Sequence, residues 1–169
     1  MTTYGKVKKI YFLKVSRKMN LSLTTPDGKS QEISFSDLLT KSKWTVLYFY
    51  PKDATPGCTI EARDFTIMHK DFLKLGAQVI GVSKDAEKSH CSFIEKEGLS
   101  FSLISDKDLE LHEKFGTWGE KSMYGKKYMG TTRSSFILDQ KGTILHERRN
   151  VKVPGHVQEI LQTLSKITT

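Results

Sequence analysis

Cysteine is scarce in this chain: Cys58 and Cys91 are the two among 169 residues. Two thiols cannot build the disulfide framework of a small secreted domain, so a reducing compartment, the cytoplasm, is expected. Long apolar runs are missing as well. None approaches the roughly 20 residues of a membrane-spanning helix. Ile10 to Leu13 falls short of the ~7–15-residue apolar stretch of a signal peptide. Acidic residues are absent from the start, where Lys6, Lys8, Lys9, Lys14, Arg17 and Lys18 all precede the first carboxylate, Asp27. Histidine is sparse, and His69, His90, His112, His146 and His156 lack zinc-type spacing, so no metal is expected. Neither repeats nor low-complexity tracts occur.

What remains is the composition of a soluble globular protein, 37% hydrophobic and 27% charged. The length suits one domain, which buries roughly 70% of its unfolded surface. The net charge of +8 allows a nucleic-acid or anionic-surface binder. It reads more simply as solubility plus a basic, partly disordered arm over residues 1–18, ahead of a domain over 19–169. Neither nucleic acid nor membrane is expected as a partner.

Apolar residues alternate at Leu21 to Leu23 and Ile33 to Phe35 around the turn Thr25-Pro26-Asp27-Gly28, which reads as an N-terminal β-hairpin. Ser36 to Leu39 reads as a short capped helix. Val46 to Tyr50 is a continuous apolar strand of the kind buried on both faces. Phe65, Met68, Phe72 and Leu75 recur at helical spacing in Cys58 to Leu75, and Gly76 stops the helix. Strand Ala77 to Val82, helix Ala86 to Glu97, strand Phe101 to Ile104 and helix Asp108 to Phe115 follow. Thr117 to Gly130 carries three glycines and no period, and is read as a loop. Strands Ser134 to Leu138 and Thr143 to His146 join at Asp139-Gln140-Lys141-Gly142, and Gly155 to Ile167 is a closing helix. This order means an α/β domain with a mixed central sheet flanked by helices.

The stretch from Pro51 to Cys58 carries the chemistry. Thr55 fits a helix N-cap and Pro56 the first helical position. Cys58 then sits in the first turn, against unpaired N–H groups and the positive end of the helix dipole. A free thiol has a pKa of about 8.5 and is only about 3% ionised at pH 7. Bringing a thiol to about 6 takes about 3.4 kcal/mol. A helix start supplies ~0.3–1, at best ~2, so a second positive group is required. A charge-assisted bond from arginine is worth ~1.5–3 kcal/mol. Arg63 lies about 140° around the helix and points away. Arg148 and Arg149 sit on a late, exposed stretch. Arg133 opens a core strand and is the best placed of several.

YFYPKDATPGCT, from Tyr48 to Thr59, resembles the peroxidatic motif of the peroxiredoxins. More narrowly, the chain is similar to the bacterioferritin comigratory protein group, also called peroxiredoxin Q. GVSKD from Gly81, SLISD from Ser102 and KFGTWGEKSMYGKKYMGTTRSSFILDQKG from Lys114 agree, and the likeness runs from about Leu21 to the end. The resemblance implies a thioredoxin-like fold and a cysteine-based peroxidase that needs no cofactor. It implies that Cys58 is the peroxidatic cysteine, that Thr55 contacts peroxide, and that Pro51 shields the pocket. Arg133 would activate the sulfur and polarise the O–O bond, with Glu61 orienting that arginine. Hydrogen peroxide and organic hydroperoxides would be the substrates. The reductant would be a thioredoxin-like protein or a low-molecular-weight thiol, and the assembly a monomer or weak dimer.

The pattern breaks at the resolving cysteine. One slot used by relatives, five positions after the peroxidatic one, is Arg63 here; the other, in the helix Ala86 to Glu97, is Ile94. Cys91 lies three residues earlier. Either Cys91 resolves the sulfenic acid through an intramolecular disulfide, or it packs and an external thiol acts. Two rival readings stand beside the peroxidase. A thiol–disulfide oxidoreductase would usually carry Cys-x-x-Cys, but the partner position is Glu61. A non-enzymatic basic interaction protein would bind anions through its arm. Lys121, Lys126 and Lys127 with Tyr124 and Tyr128 read as a solvated loop, and Trp118, Met123, Tyr124 and Met129 as core or rim.

Overall fold

The computed structural model describes residues 19–169. The basic arm over 1–18 lies outside them. β1 (Asn20–Thr24) and β2 (Ser30–Ser34) form the expected hairpin, and α1 (Phe35–Thr40) follows, with Ser34 Oγ accepting the Asp37 N–H as its cap. Then come β3 (Trp44–Phe49), α2 (Pro56–Lys74), β4 (Ala77–Ser83), α3 (Glu87–Glu97), β5 (Ser102–Ser105) and α4 (Glu110–Phe115). β6 (Trp118–Met123) and β7 (Lys126–Thr131) pair with each other. β8 (Ser134–Asp139), β9 (Ile144–Arg148) and α5 (His156–Thr168) close the chain.

Seven strands make one sheet in the order β2-β1-β5-β4-β3-β8-β9. β3, β4 and β5 run parallel, while β1 and β8 join antiparallel, so the sheet is mixed. The continuous apolar run of β3 is explained by two cores. Val46, Tyr48 and Tyr50 face one cluster with Phe65 and Phe72 of α2, Phe93 of α3 and Ile160 of α5. Leu47 and Phe49 face the other, with α1 and with Leu111 and Phe115 of α4. A strand's side chains alternate, so a strand buried on both faces shows no polar positions.

The segment 117–130 is a correction. It is not a loop but the hairpin β6–β7, turned by Tyr124 and Gly125, both at positive φ (51° and 77°). Two such residues make the turn that suits a two-residue hairpin. The hairpin stands off the main sheet with most of its side chains exposed. No face is fully buried, so no apolar alternation marks it in the sequence.

Gly81 of β4 lies between Tyr48 and Leu103 across both ladders. A Cβ there would come within 2.7 Å of Leu103 Cδ2 and 3.0 Å of Tyr48 Cζ. Leu103 has rotamers to yield, but the Tyr48 ring, stacked on Phe65 at 4.5 Å, has none. Gly81→Ala is expected to destabilise the fold by about 1–3 kcal/mol, the usual range for overpacking. Urea denaturation checks this, and an unchanged midpoint would contradict the packing described.

Candidate active site

α2 begins where the sequence places it. Thr55 has extended φ/ψ at the N-cap and Pro56 takes the first helical position. The ladder starts with the Thr59 N–H donating to Thr55 O (2.9 Å), which leaves the N–H groups of Gly57 and Cys58 in the first turn outside it. Thr55 does not cap with its side chain, however; its hydroxyl donates to Lys52 O (2.8 Å). That proton is committed, so Thr55 Oγ1 presents lone pairs to its surroundings. The residue before it, Ala54, is a non-glycine residue at φ 60°, a strained position of the kind that collects at functional sites.

Cys58 is 2% exposed. Arg133 Nη2 lies 3.5 Å from its Sγ, and Nη1 donates to Glu61 Oε1 at 2.8 Å. The guanidinium therefore bridges a sulfur and a carboxylate one helical turn apart. The antiparallel register sets this position: Phe49 faces Ser134, which puts Arg133 level with the end of β3. Gly57 allows the approach, since a Cβ there would meet Arg133 Nη2 at 3.2 Å.

Glu61 is fully buried. Burial pushes its carboxyl up to about 7, against the Arg133 charge that pulls it down. Oε1 is taken by Arg133, and Oε2 has no protein partner. For Arg133, burial acts downward, but Glu61 and Cys58 outweigh it and hold the guanidinium above its ordinary value. Tyr48 lies in the same field. Burial, then the charges of Glu61 and Cys58, raise its phenol well above the usual range, so its hydroxyl stays protonated.

Asp53 and His90 were not among the residues singled out for the site, and the structure ties both to it. Asp53 is buried in the loop before α2 and accepts bonds from the Tyr50 hydroxyl (2.6 Å) and Ser89 Oγ (2.8 Å). His90 Nδ1 lies 2.7 Å from Asp53 Oδ2, and its Nε2 lies 3.1 Å from Ile104 O. The Asp53 N–H donates to Asp85 Oδ2 (2.9 Å). The loop that presents Cys58 is thus fastened to α3 and to the end of β4. The sequence signal was there, in a buried-type Asp inside the Pro51–Cys58 motif. It did not give the pairing with Asp85, Ser89 and His90, because these partners lie 32 to 37 positions away. Pro51, half-buried, lines a cleft with Lys84 and the β6–β7 hairpin.

Cys58 and Cys91 are both free thiols. Cys91 is half-buried on α3 and its Sγ packs against the β1–β2 turn, 3.2 Å from where a Cβ of Gly28 would stand. Ile94 is core. Arg63 is exposed and points away from Cys58, as the helix geometry requires, with its Nε donating to Glu97 Oε2 of α3 (2.7 Å). Among the described residues no group of three or more His, Cys, Asp or Glu is arranged to hold a metal ion. No helix among them is long and apolar enough to cross a membrane.

The model of the AhpC/TSA family matches residues 17–147. The chain belongs to this family. It is 49% identical to the peroxiredoxin Bcp of Bacillus subtilis over 128 residues, which is 76% of this chain and 82% of that protein. Among solved structures it is similar to a peroxiredoxin Q of Xanthomonas campestris, with TM-score 0.82 and 39% identity over 90% of this chain and 93% of that one. A bacterioferritin comigratory protein of the same organism, at TM-score 0.82 and 38% identity over 90% of this chain and 94% of that one, has alkyl peroxide reduction activity. The fold is that of the thioredoxin-like peroxiredoxins, and the chain is a thiol-dependent peroxidase of their Bcp or Q group. A hydroperoxide is its substrate and a thiol its reductant.

Glu61 gives stability a pH dependence. Between about 4.5 and 7 the folded chain keeps a proton on Glu61 that the unfolded chain has released. Its contribution is complete below about 4.5 and is lost as pH rises to about 7, on the order of 3 kcal/mol in all. His156 runs the other way. Burial lowers it from 6.5 to about 4, so its contribution is complete above 6.5 and fades as pH falls. Glu61→Gln removes the first slope alone. Relative to the parent, the variant is expected to gain stability as pH rises from about 5 to 7. Urea midpoints measured across that range check this, and parallel curves would contradict it.

Proposed function

We propose that Cys58 is the peroxidatic nucleophile and that Arg133, Thr55, Pro51 and Glu61 assist it. The observation that carries this is the Arg133 guanidinium, in contact with Cys58 Sγ and anchored by Glu61. The Cys58 thiolate attacks the terminal oxygen of ROOH. The S–O bond forms as the O–O bond breaks, leaving sulfenic acid on Cys58 and an alkoxide or hydroxide that is then protonated. Arg133 and the free first-turn N–H groups stabilise the developing negative charge. Thr55 has a distinct part: its proton is held by Lys52 O, so its oxygen accepts the O–H of the incoming hydroperoxide. Pro51 walls the approach, and Glu61 positions Arg133. The substrates are hydrogen peroxide and organic hydroperoxides, in keeping with the alkyl peroxide reduction of the X. campestris relative.

Resolution belongs to Cys91, which forms an intramolecular disulfide with Cys58 and releases water. A thioredoxin-like protein then reduces it. Bridged cysteines have Cα atoms within about 7 Å. Cys91 faces the Gly28 turn while Cys58 faces Arg133, so the disulfide requires rearrangement of the α2 start and α3. The Asp53–His90 pair, between the loop before α2 and α3, and the Arg63–Glu97 pair, between α2 and α3, restrain it. The competing route, an external low-molecular-weight thiol acting on Cys58, leaves these contacts in place. We place the protein in the cytoplasm as a monomer or weak dimer, in line with its two thiols and its group.

Cys58→Ser is expected to abolish peroxide consumption. Arg133→Lys keeps the charge but loses the two-armed contact. It should lower kcat/KM by about 10²–10³, as removal of a charge-stabilising donor does. Stopped-flow peroxide consumption reads both, and wild-type rates in either variant would refute the assignment. Mass spectrometry of peroxide-treated protein should show a Cys58–Cys91 link. A lasting sulfenic or sulfinic Cys58 beside a free Cys91 would instead assign resolution to the external thiol.

A further inference from the structure

Arg133 stands in the two-residue link between β7, which ends at Thr131, and β8, which starts at Ser134. The β8 side of that link is fixed by its ladder with β3, where Ser134 pairs with Phe49. The β7 side lacks a ladder of that kind, because β6 and β7 pair with each other and stand off the main sheet. Two of its tethers lead instead to one buried histidine. His112 Nε2 lies 2.9 Å from Thr131 Oγ1. The His112 carbonyl accepts the Thr117 N–H (2.9 Å), and the Thr117 carbonyl accepts the Thr132 N–H (2.7 Å). Both residues before Arg133 are thus tied back to His112.

His112 is itself firmly held. Its Nδ1 lies 2.7 Å from Asp106 Oδ2, and Phe49 and Trp118 pack edge-on against its ring. Asp106 follows β5, and its N–H donates to Ser83 O at the end of β4 (2.8 Å). Its side chain accepts the Leu111 N–H on Oδ1 (3.1 Å) and the His112 N–H on Oδ2 (2.9 Å). It thereby caps α4, whose own N-cap residue, Leu109, makes no side-chain bond. Both carboxylate oxygens already accept N–H groups, so they accept from the ring as well, and Nδ1 carries the proton. Nε2 is left for the Thr131 hydroxyl. Asp106, His112 and Thr131 are all buried. A buried polar chain whose members are all paired is rigid. This one runs from the ends of β4 and β5 to the link that carries Arg133, and no step of the peroxidase reaction consumes it.

We propose that Asp106 and His112 are positioning residues for the reaction at Cys58: through Thr131 they fix the β7 side of the link, and with it the direction from which Arg133 reaches the sulfur. This rests on the reading of Arg133 as the activating cation and adds an anchor to it. Glu61 holds the guanidinium end of that side chain. The Asp106–His112–Thr131 chain holds the backbone end. A guanidinium is a rigid fork, and its two contacts survive little displacement. Misplacement by about 1 Å can cost about 10²-fold in rate. With Glu61 and the β8 ladder intact, losing the His112 link is expected to cost about tenfold.

The test measures the second-order rate of hydrogen peroxide consumption by stopped flow. Thr131→Val removes the hydroxyl and keeps the shape. His112→Asn keeps a donor towards Asp106 and loses the reach to Thr131. Each should lower the rate by about tenfold, and Thr131→Ser, which keeps the hydroxyl, should restore most of it. Thr131 borders the cleft beside Pro51 and His112 does not, so matching losses locate the effect in the link rather than in peroxide access. The deciding measurement is a double-mutant cycle with Arg133→Ala. A residue that acts through Arg133 loses its effect once the guanidinium is gone. Thr131→Val should therefore lower the rate by less than about twofold in that background, whereas a residue that only supports the fold would cost about tenfold in both. Urea midpoints report the stability cost separately. Should either single variant fail to fold, the other carries the cycle. Parent-like rates in the folded variants, or equal losses with and without Arg133, would overturn the proposal. An Arg133→Ala variant as fast as the parent would instead overturn the role of Arg133, and this inference with it.

Discussion

The guanidinium of Arg133 is the contact on which the site depends. One nitrogen reaches the Cys58 sulfur and another the Glu61 carboxylate, both on the first turns of α2. A single rigid cation is thereby shared between a buried thiol and a buried acid. An ionised Glu61 would not be tolerated alone at that depth, since an unpaired buried charge is strongly destabilising. Glu61, pushed up to about 7, records how much of that penalty Arg133 leaves uncompensated. The bare backbone of Gly57 is the steric condition for the contact.

Around that contact the molecule is fastened by pairs that cross between elements. Asp53 and His90 hold the loop before α2 against α3, and Arg63 with Glu97 holds α2 to α3 further along. These ties hold the segment that carries Cys58 against α3. They would also oppose a movement that brings Cys91 to it. The proposed two-stage reaction would therefore ask two things of the same segment: order during attack and release during resolution. Local opening is a property of low-stability segments, and polar pairs like these yield more readily than an apolar core would.

The β6–β7 hairpin adds what the α/β frame lacks. It supplies a wall that sits apart from both hydrophobic cores and places Lys121, Tyr128 and Met129 beside Pro51. Most of its side chains are exposed, although Thr131 is buried against His112 and Trp118 packs edge-on to the same ring. That exposure hid it in the sequence. With no buried face there was no alternation to read, and only the turn pair Tyr124-Gly125 marked it.

The order of strands and helices outside the β6–β7 hairpin, the cap position and proline at the start of α2, and the candidate thiol were legible in the chain, because they rest on contacts within a few residues. Arg133 was only the best placed of several arginines until resemblance to relatives singled it out, and Glu61 came from that resemblance alone. Only the folded chain set Arg133 against Cys58, 75 positions away, because that distance is closed by the pairing of β8 with β3. Only it showed the Thr55 hydroxyl turned to Lys52 O rather than to the helix, and joined Asp53 to His90. Short-range preferences fix which elements form; which side chains then meet is decided by sheet register and packing, which act between residues far apart along the chain.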